Sequence, residues 1–513
     1  MRVAEILGSL SLSTDLADGF SLEKCLRTAV IATRLARLAS GDPEVHRGVF
    51  WASLLRFTGC TGFAHEEGRY YSAGDDRSLR ATLAYVDFSR PSDFIGRALA
   101  HIAPEAPLVD RARAVGRLLS TPSAPRQHAL AQCEAGQAFA RTVGMPDVGA
   151  VLRLRGERWD GRGPLKLAEG EGIPFAARVS DVADVAELFG YTHGPAEAVA
   201  ELRRRRGGEL DPSLVDLFLS HAGELWPGIF EGSAWELFLE AEPQPWRTAA
   251  TDADRIQYFS AFAALADLSS VYTLGHSSAV AALAGRAAEI LGLGPAEVTL
   301  AQLAGLSHDL GRVAVAVGIW EKRGSLSPYE RERVRTHSQQ TETILRLAPA
   351  LEDLAEVAAA AHERGSGRGY HRRLRSESVP LVARILAASD VCVALGSDRP
   401  HRPRLARAEL EHELRSMERS AELDPRATRA VLEAAALGVR SAPRRASGLT
   451  EREVEVVRLV AVGRTNNEIG ALLGMSARTA QKHVMNVYQK LGLESRAGLA
   501  LFAVEHGLLE GSH

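Results

Sequence analysis

The chain has 513 residues, 46% of them apolar, and a formal net charge of −3 at pH 7. That length predicts about three domains with ample core. Near-neutrality excludes a chain that coats nucleic acid along its whole length, so any DNA contact has to be local. Cys25, Cys60, Cys133 and Cys392 lie far apart without CxxC spacing, which excludes a disulfide or zinc framework. Glu5, Asp15 and Asp18 stand where a secretory signal would be apolar, and no run reaches ~18 uninterrupted apolar residues. A cytoplasmic protein without a membrane span is expected.

Ala, Leu, Arg and Glu dominate, and β-branched alternation is scarce, so the chain reads as all-α. Apolar residues recur at helical spacing in 29–38 and again in 280–291. Between and around them runs an internal repeat. Glu157-Arg-Trp-Asp-Gly-Arg-Gly163 returns as Glu363-Arg-Gly-Ser-Gly-Arg-Gly369, Ile173-Pro-Phe-Ala-Ala-Arg178 as Val379-Pro-Leu-Val-Ala-Arg384, and Ala183-Asp184 as Ser389-Asp390. These three matches share one spacing, and Leu210-Asp-Pro212 and Leu423-Asp-Pro425 close the two copies. The starts match as Pro43 and Pro295, so the first copy carries an insertion between about Gly59 and Ala131. The expected division is a first copy over 1–212, a connecting segment over 213–254 with Trp226, Trp235 and Trp246, a second copy over 255–440, a Pro/Ser/Gly-rich linker over 441–448, and a last module over 449–513.

The second copy holds, in order, His276, His308-Asp309, His337, His362 and Asp390. Imidazoles and carboxylates suit borderline divalent metals, and one Asp can bridge two ions. Two ions ~4 Å apart can act on a phosphoester displacement. The ordered set, with Arg335-Thr-His-Ser338, His362-Glu-Arg364, Gly369-Tyr370 and Ala383–Asp390, resembles the HD-GYP subclass of the HD phosphohydrolase superfamily. The resemblance implies a helical bundle and a metal-dependent phosphodiesterase acting on cyclic dinucleotides, with one or two iron or manganese ions. By it, His276, His308, Asp309 and Asp390 would hold one metal, and Asp309 would bridge to a second held by His337 and His362. Asp309 and Arg312 would serve the reaction. The chain departs from the family pattern at Ala361 (usually a second His), at Arg312 (usually Lys), and at Gly369-Tyr370-His371 (usually Gly-Tyr-Pro). In the first copy, a degenerate HD-GYP-like domain, Lys24 stands for His276, Arg56-Phe57 for His308-Asp309, Ala131 for His337 and Arg155-Gly156 for Ala361-His362. Only Asp184 survives there, and Lys24 and Arg56 are expected to repel a cation. That copy reads as a sensory partner or as a scaffold.

From Gly448 the helix caps become regular. Thr450–Glu453 and Thr465–Glu468 are capping boxes, Ser476 opens a third helix ending near Leu491, and Ser495 a fourth. Two short helices joined at Gly474-Met-Ser have helix-turn-helix geometry. The pattern resembles the LuxR-type DNA-binding domain, which implies double-stranded DNA as partner and a homodimer reading two half-sites. By that resemblance Arg478, Gln481, Lys482 and Met485 would meet DNA from the third helix, with Lys490 and Arg496 adding backbone contacts. The sequence therefore points to a DNA-binding transcriptional regulator whose HD-GYP-like domain senses, and has the ligands to hydrolyse, a cyclic dinucleotide or other phosphorylated ligand. An enzyme with an accessory DNA-binding tail, and a pure interaction platform, are the competing readings.

Overall fold

The computed structural model describes residues 1–87, 106–121, 123–245, 247–437 and 448–509. Trp246 and residues 441–447 of the expected linker lie outside the described residues. Among the described residues the chain is helical, with isolated bridges and no strand, so the all-α expectation holds. It divides into two compact units, Met1–Thr251 and Asp252–His513.

The first unit is built on α1 (Val3–Ala17), α2 (Lys24–Ala39), α3 (Pro43–Leu54), α4 (Ala124–Thr142), α5 (Pro146–Leu152), α6 (Phe175–His193) and α7 (Pro212–Ser220). The segment read from the sequence as a connection, 213–254, divides: its described residues up to Thr251 belong to this unit, and from Asp252 it opens the first helix of the next. Phe218, Trp235 and Phe238 are buried, and Val3 donates to the Thr248 carbonyl at 3.0 Å, so the segment returns to the start of the chain. Its large apolar side chains are the physical reason, because leaving them in water is costly.

The second unit repeats the same order in α8 (Asp252–Leu268), α9 (His276–Ile290), α10 (Pro295–Ser307), α11 (Pro328–Arg346), α12 (Glu352–Ala359), α13 (Leu381–Leu395) and α14 (Pro425–Ala436). Equivalent residues do equivalent work. Asp15 accepts from the Cys25 N–H at 3.1 Å, and Asp267 accepts from the Ser277 N–H at 2.9 Å, each pinning the first turn of the next helix. Arg178 pairs with Asp211 at 2.5 Å, and Arg384 with Asp424 at 2.9 Å. Glu157 accepts from the Leu167 N–H, as Glu363 does from those of Arg372 and Leu374, so this Glu shapes a loop in both units. Retention of the Glu in a copy without the ligand set thus has a structural cause.

The last four helices are α15 (Glu451–Ala461), α16 (Asn466–Leu473), α17 (Ala477–Leu491) and α18 (Arg496–Glu505). Thr450, Thr465, Ser476 and Ser495 cap them as the sequence predicts, and Gly474 and Gly492 end α16 and α17 in the left-handed region. Val456, Val460, Ile469, Val484, Val487 and Leu499 form their small core.

Candidate functional site

His276 is the first residue of α9, and Asp267 of α8 holds its neighbour Ser277 through both N–H and hydroxyl, at 2.9 and 2.8 Å. His308 ends α10; its Nδ1 lies 2.8 Å from the Gly305 carbonyl, which leaves Nε2 facing inward. Asp309 follows in the break before a 3-10 turn, Leu310–Ala314. Thr341 of α11 fastens that turn by donating to the His308 carbonyl at 2.9 Å and accepting from Gly311 at 3.0 Å. A Cβ at position 311 would lie 2.1 Å from the His337 carbonyl, so glycine lets the turn touch α11. His337 projects from α11, its Nδ1 on the Val334 carbonyl. His362 sits in the turn after α12, and Asp390 on α13.

All six candidate ligands are buried and fall into two groups, His276/His308/Asp390 and Asp309/His337/His362, within which the ligand atoms lie inside 4.8 Å of one another. Asp309 faces both. Its Oδ1 is 3.2 Å from His337 Nε2 and 3.6 Å from His362 Nε2, while its Oδ2 is 3.7 Å from His308 Nε2 and 3.9 Å from His276 Nε2. Asp390 Oδ1 is 3.2 Å from His276 Nε2. Burial works against both carboxylates, but His308 and the other imidazoles outweigh it and hold Asp309 and Asp390 well below the usual range, ready as ligands. Burial likewise opposes a charge on His308, yet Asp309 and Asp390 lift it to about 9, whereas burial lowers His362 to about 4.

The residues fit a metal centre by their donor set and by what they leave unmade. His308 Nε2, Asp309 Oδ1, His337 Nε2 and His362 Nε2 are buried without a hydrogen-bond partner. Buried polar groups are ordinarily satisfied, and one or two divalent ions between them would satisfy this set at once.

Three further groups line the site, and of these only Tyr370 is named from the sequence above, as part of a motif and without a role in the site. Trp320 lies under the Arg312 guanidinium, its ring centroid 3.7 Å from the guanidinium carbon, and is edge-on to His337. Tyr370 stacks on His362 with centroids 4.8 Å apart. Arg399 donates to the Tyr272 carbonyl at 3.2 Å; burial and the nearby Arg312 lower its ordinary value to about 10. Arg399 opens a basic run, Arg399-Pro-His-Arg-Pro-Arg404, and Tyr370 belongs to the Gly369-Tyr370 motif, so each had a signal in the sequence; Trp320 had none. Arg312 itself lies 3.3 Å from Asp309 Oδ2.

The corresponding place in the first unit is filled with cations. Lys24, the first residue of α2, pairs with Asp184 and lies 3.4 Å from Glu187. Arg56 lies 2.7 Å from Asp181 and 3.5 Å from Asp184, and Arg155 packs over Phe57 at 4.4 Å. Burial opposes ionisation of Asp184, but Lys24 and Arg56 keep it below its ordinary value. The basic side chains stand in for metal charge instead of leaving an unmatched one.

In the last module Arg478, Gln481, Lys482 and Met485 all lie exposed along α17. Lys490 bonds Glu453 at 2.8 Å and Arg496 donates to the Arg464 carbonyl at 3.1 Å, so these two also brace the module.

The family model "HD domain" matches residues 260–427, and the model "Bacterial regulatory proteins, luxR family" matches 447–503. The 3'3'-cGAMP-specific phosphodiesterase 3 of Vibrio cholerae is 28% identical over 405 residues, 78% of this chain and 87% of that protein. The transcriptional regulatory protein MctR of Rhizobium johnstonii is 41% identical over 61 residues, 12% of this chain and 28% of its own. A crystal structure of a cyclic GMP-AMP-specific phosphodiesterase from V. cholerae shares the fold, with TM-score 0.58 and 25% identity over 85% of this chain and 98% of that one. The chain thus carries an HD domain followed by a luxR-type domain, a DNA-binding class, and HD-domain phosphodiesterases are metal-dependent. Among the described residues no helix is long and apolar enough to cross a membrane.

Proposed function

We propose that this chain, which joins an HD domain to a luxR-type DNA-binding domain, is a transcriptional regulator whose HD site binds and hydrolyses a cyclic dinucleotide. The observation that carries the reading is the shared Asp309, whose two oxygens face two buried ligand groups on the chain that also exposes Arg478, Gln481, Lys482 and Met485. His276, His308, Asp309 and Asp390 would hold one ion, and Asp309, His337 and His362 a second, with iron or manganese matching the donors. Ions bound there supply Lewis acidity toward a phosphoester and acidify water. Arg312 and Arg399 bring positive charge to a phosphate, and Tyr370 and Trp320 close the site on the side of His337 and His362. The exposed face of α17 would enter the major groove, and a homodimer would read two half-sites.

Purified protein should hold about one to two transition metal ions per chain, and Asp309→Ala should remove them. It should hydrolyse 3'3'-cGAMP or cyclic di-GMP, and its affinity for DNA should change when a non-hydrolysable cyclic dinucleotide is added. A folded, metal-free wild type by elemental analysis would sink the HD reading, and DNA affinity indifferent to the nucleotide would sink the regulatory one.

A further inference from the structure

Arg312 is held in an unusual way. Its side chain is 11% exposed, Nη1 lies 3.3 Å from Asp309 Oδ2, and Nε is buried with no partner. The guanidinium lies over the Trp320 ring, its carbon 3.7 Å from the ring centroid, and Trp320 Nε1 donates to the Arg312 carbonyl at 3.2 Å. The same indole meets His337 edge-on with centroids 5.5 Å apart. Trp320 is therefore tied to both ends of Arg312 and to one candidate ligand.

A long cation beside a centre meant for further positive charge has every reason to swing away. A stacked indole opposes that, because the ring face attracts the guanidinium and its plane fixes the plane of the fork. A lysine ammonium has no planar face to match, so the ring suits Arg at this position and not Lys. Fixed so, Arg312 presents an unsatisfied Nε beside the carboxylate common to both ligand groups. An oxyanion is the chemical class that completes such a fork, since it accepts two parallel N–H bonds.

We propose that Trp320 is a positioning residue that locks Arg312 as a phosphate clamp beside Asp309, the two side chains acting as one unit. This rests on the reading of the HD site as a phosphoester site.

The test is a double-mutant cycle on the full-length protein, with metal content checked in every variant. Orthophosphate binding is measured by calorimetry, and 3'3'-cGAMP hydrolysis alongside it. Trp320→Leu should weaken orthophosphate binding about tenfold and raise KM to a similar degree, as for a lost stacked cation. Trp320→Phe should recover most of the binding, because a ring face remains. In the Arg312→Lys background, Trp320→Leu should change binding less than about twofold. Equal losses in both backgrounds would show that the ring only fills space and would overturn the proposal, as would a metal-loaded wild type that binds no orthophosphate. A wild type that binds orthophosphate and obeys the cycle, yet hydrolyses no cyclic dinucleotide, supports the clamp while removing the hydrolytic part of the proposed function.

Discussion

Asp184→Ala probes whether the first unit has exchanged metal charge for side-chain charge. Lys24 is 1% exposed, and its ammonium meets Asp184 and, at 3.4 Å, Glu187. Glu187 is already engaged by Arg27 at 2.7 Å, so deleting Asp184 leaves Lys24 with half of a shared carboxylate. Arg56, at 3.5 Å from Asp184, loses one of its two partners as well. Removing one side of a buried ion pair costs about 3–5 kcal/mol. At ~2–4 °C per kcal/mol for a unit of this size, the melting temperature should fall roughly 10 °C. Among the described residues Trp51, Trp159, Trp226 and Trp235 lie in the first unit and Trp320 in the second, so tryptophan emission during heating reports chiefly on the first. Lys24→Met is the control: its chain would still pack between Phe20 and Phe57, whose centroids lie 5.0 and 4.9 Å from the ammonium, and Arg56 would remain for Asp184. It should cost less than half as much. An Asp184→Ala protein that melts within ~2 °C of wild type would refute the reasoning, because a buried ammonium left with only a share of Glu187 cannot be that cheap.

Gly311→Ala would place a Cβ 2.1 Å from the His337 carbonyl and 2.5 Å from the Thr341 N–H, both backbone, so the 3-10 turn must move off α11. Overpacking of this kind costs ~1–3 kcal/mol; elemental analysis should show metal lost while DNA binding persists, and full metal content would count against the geometry. Arg478→Ala with Lys482→Ala should weaken DNA binding and flatten its salt dependence by up to about two counterions, read by titration at several salt concentrations; unchanged binding would mean another surface reads DNA. Lys490 and the Thr450 N–H hold Glu453 down from 4.5 to about 2. An acid whose value falls on folding adds stability that is complete above its unfolded value and is lost as pH drops through the folded one. Acid unfolding of the last module between pH 4.5 and 2 should therefore soften in Glu453→Gln, and identical pH profiles would contradict the pairing.

Much of this protein was readable without coordinates wherever the governing physics is local. Thr450, Thr465, Ser476 and Ser495 announce helices because a cap bonds to an N–H three residues on, so four helices of the last module follow from short stretches. The order His276, His308-Asp309, His337, His362, Asp390 was legible because ligand-type residues recur in a repeat whose other copy has lost them. The tertiary structure decided what depends on distant groups meeting. Lys24 and Arg56 read from the sequence as residues that repel a cation; that they replace one depends on Asp184 and Asp181 arriving from α6. Residues 213–254 look like a connection until Phe218 and Phe238 find the first unit's core. Trp320 carries no motif, and its place beneath Arg312 and against His337 comes from folding the short helix Val317–Trp320 back beside α11. Capping and ligand chemistry are written in residue type and spacing, whereas charge compensation and stacking exist only once the chain brings remote side chains within a few ångströms.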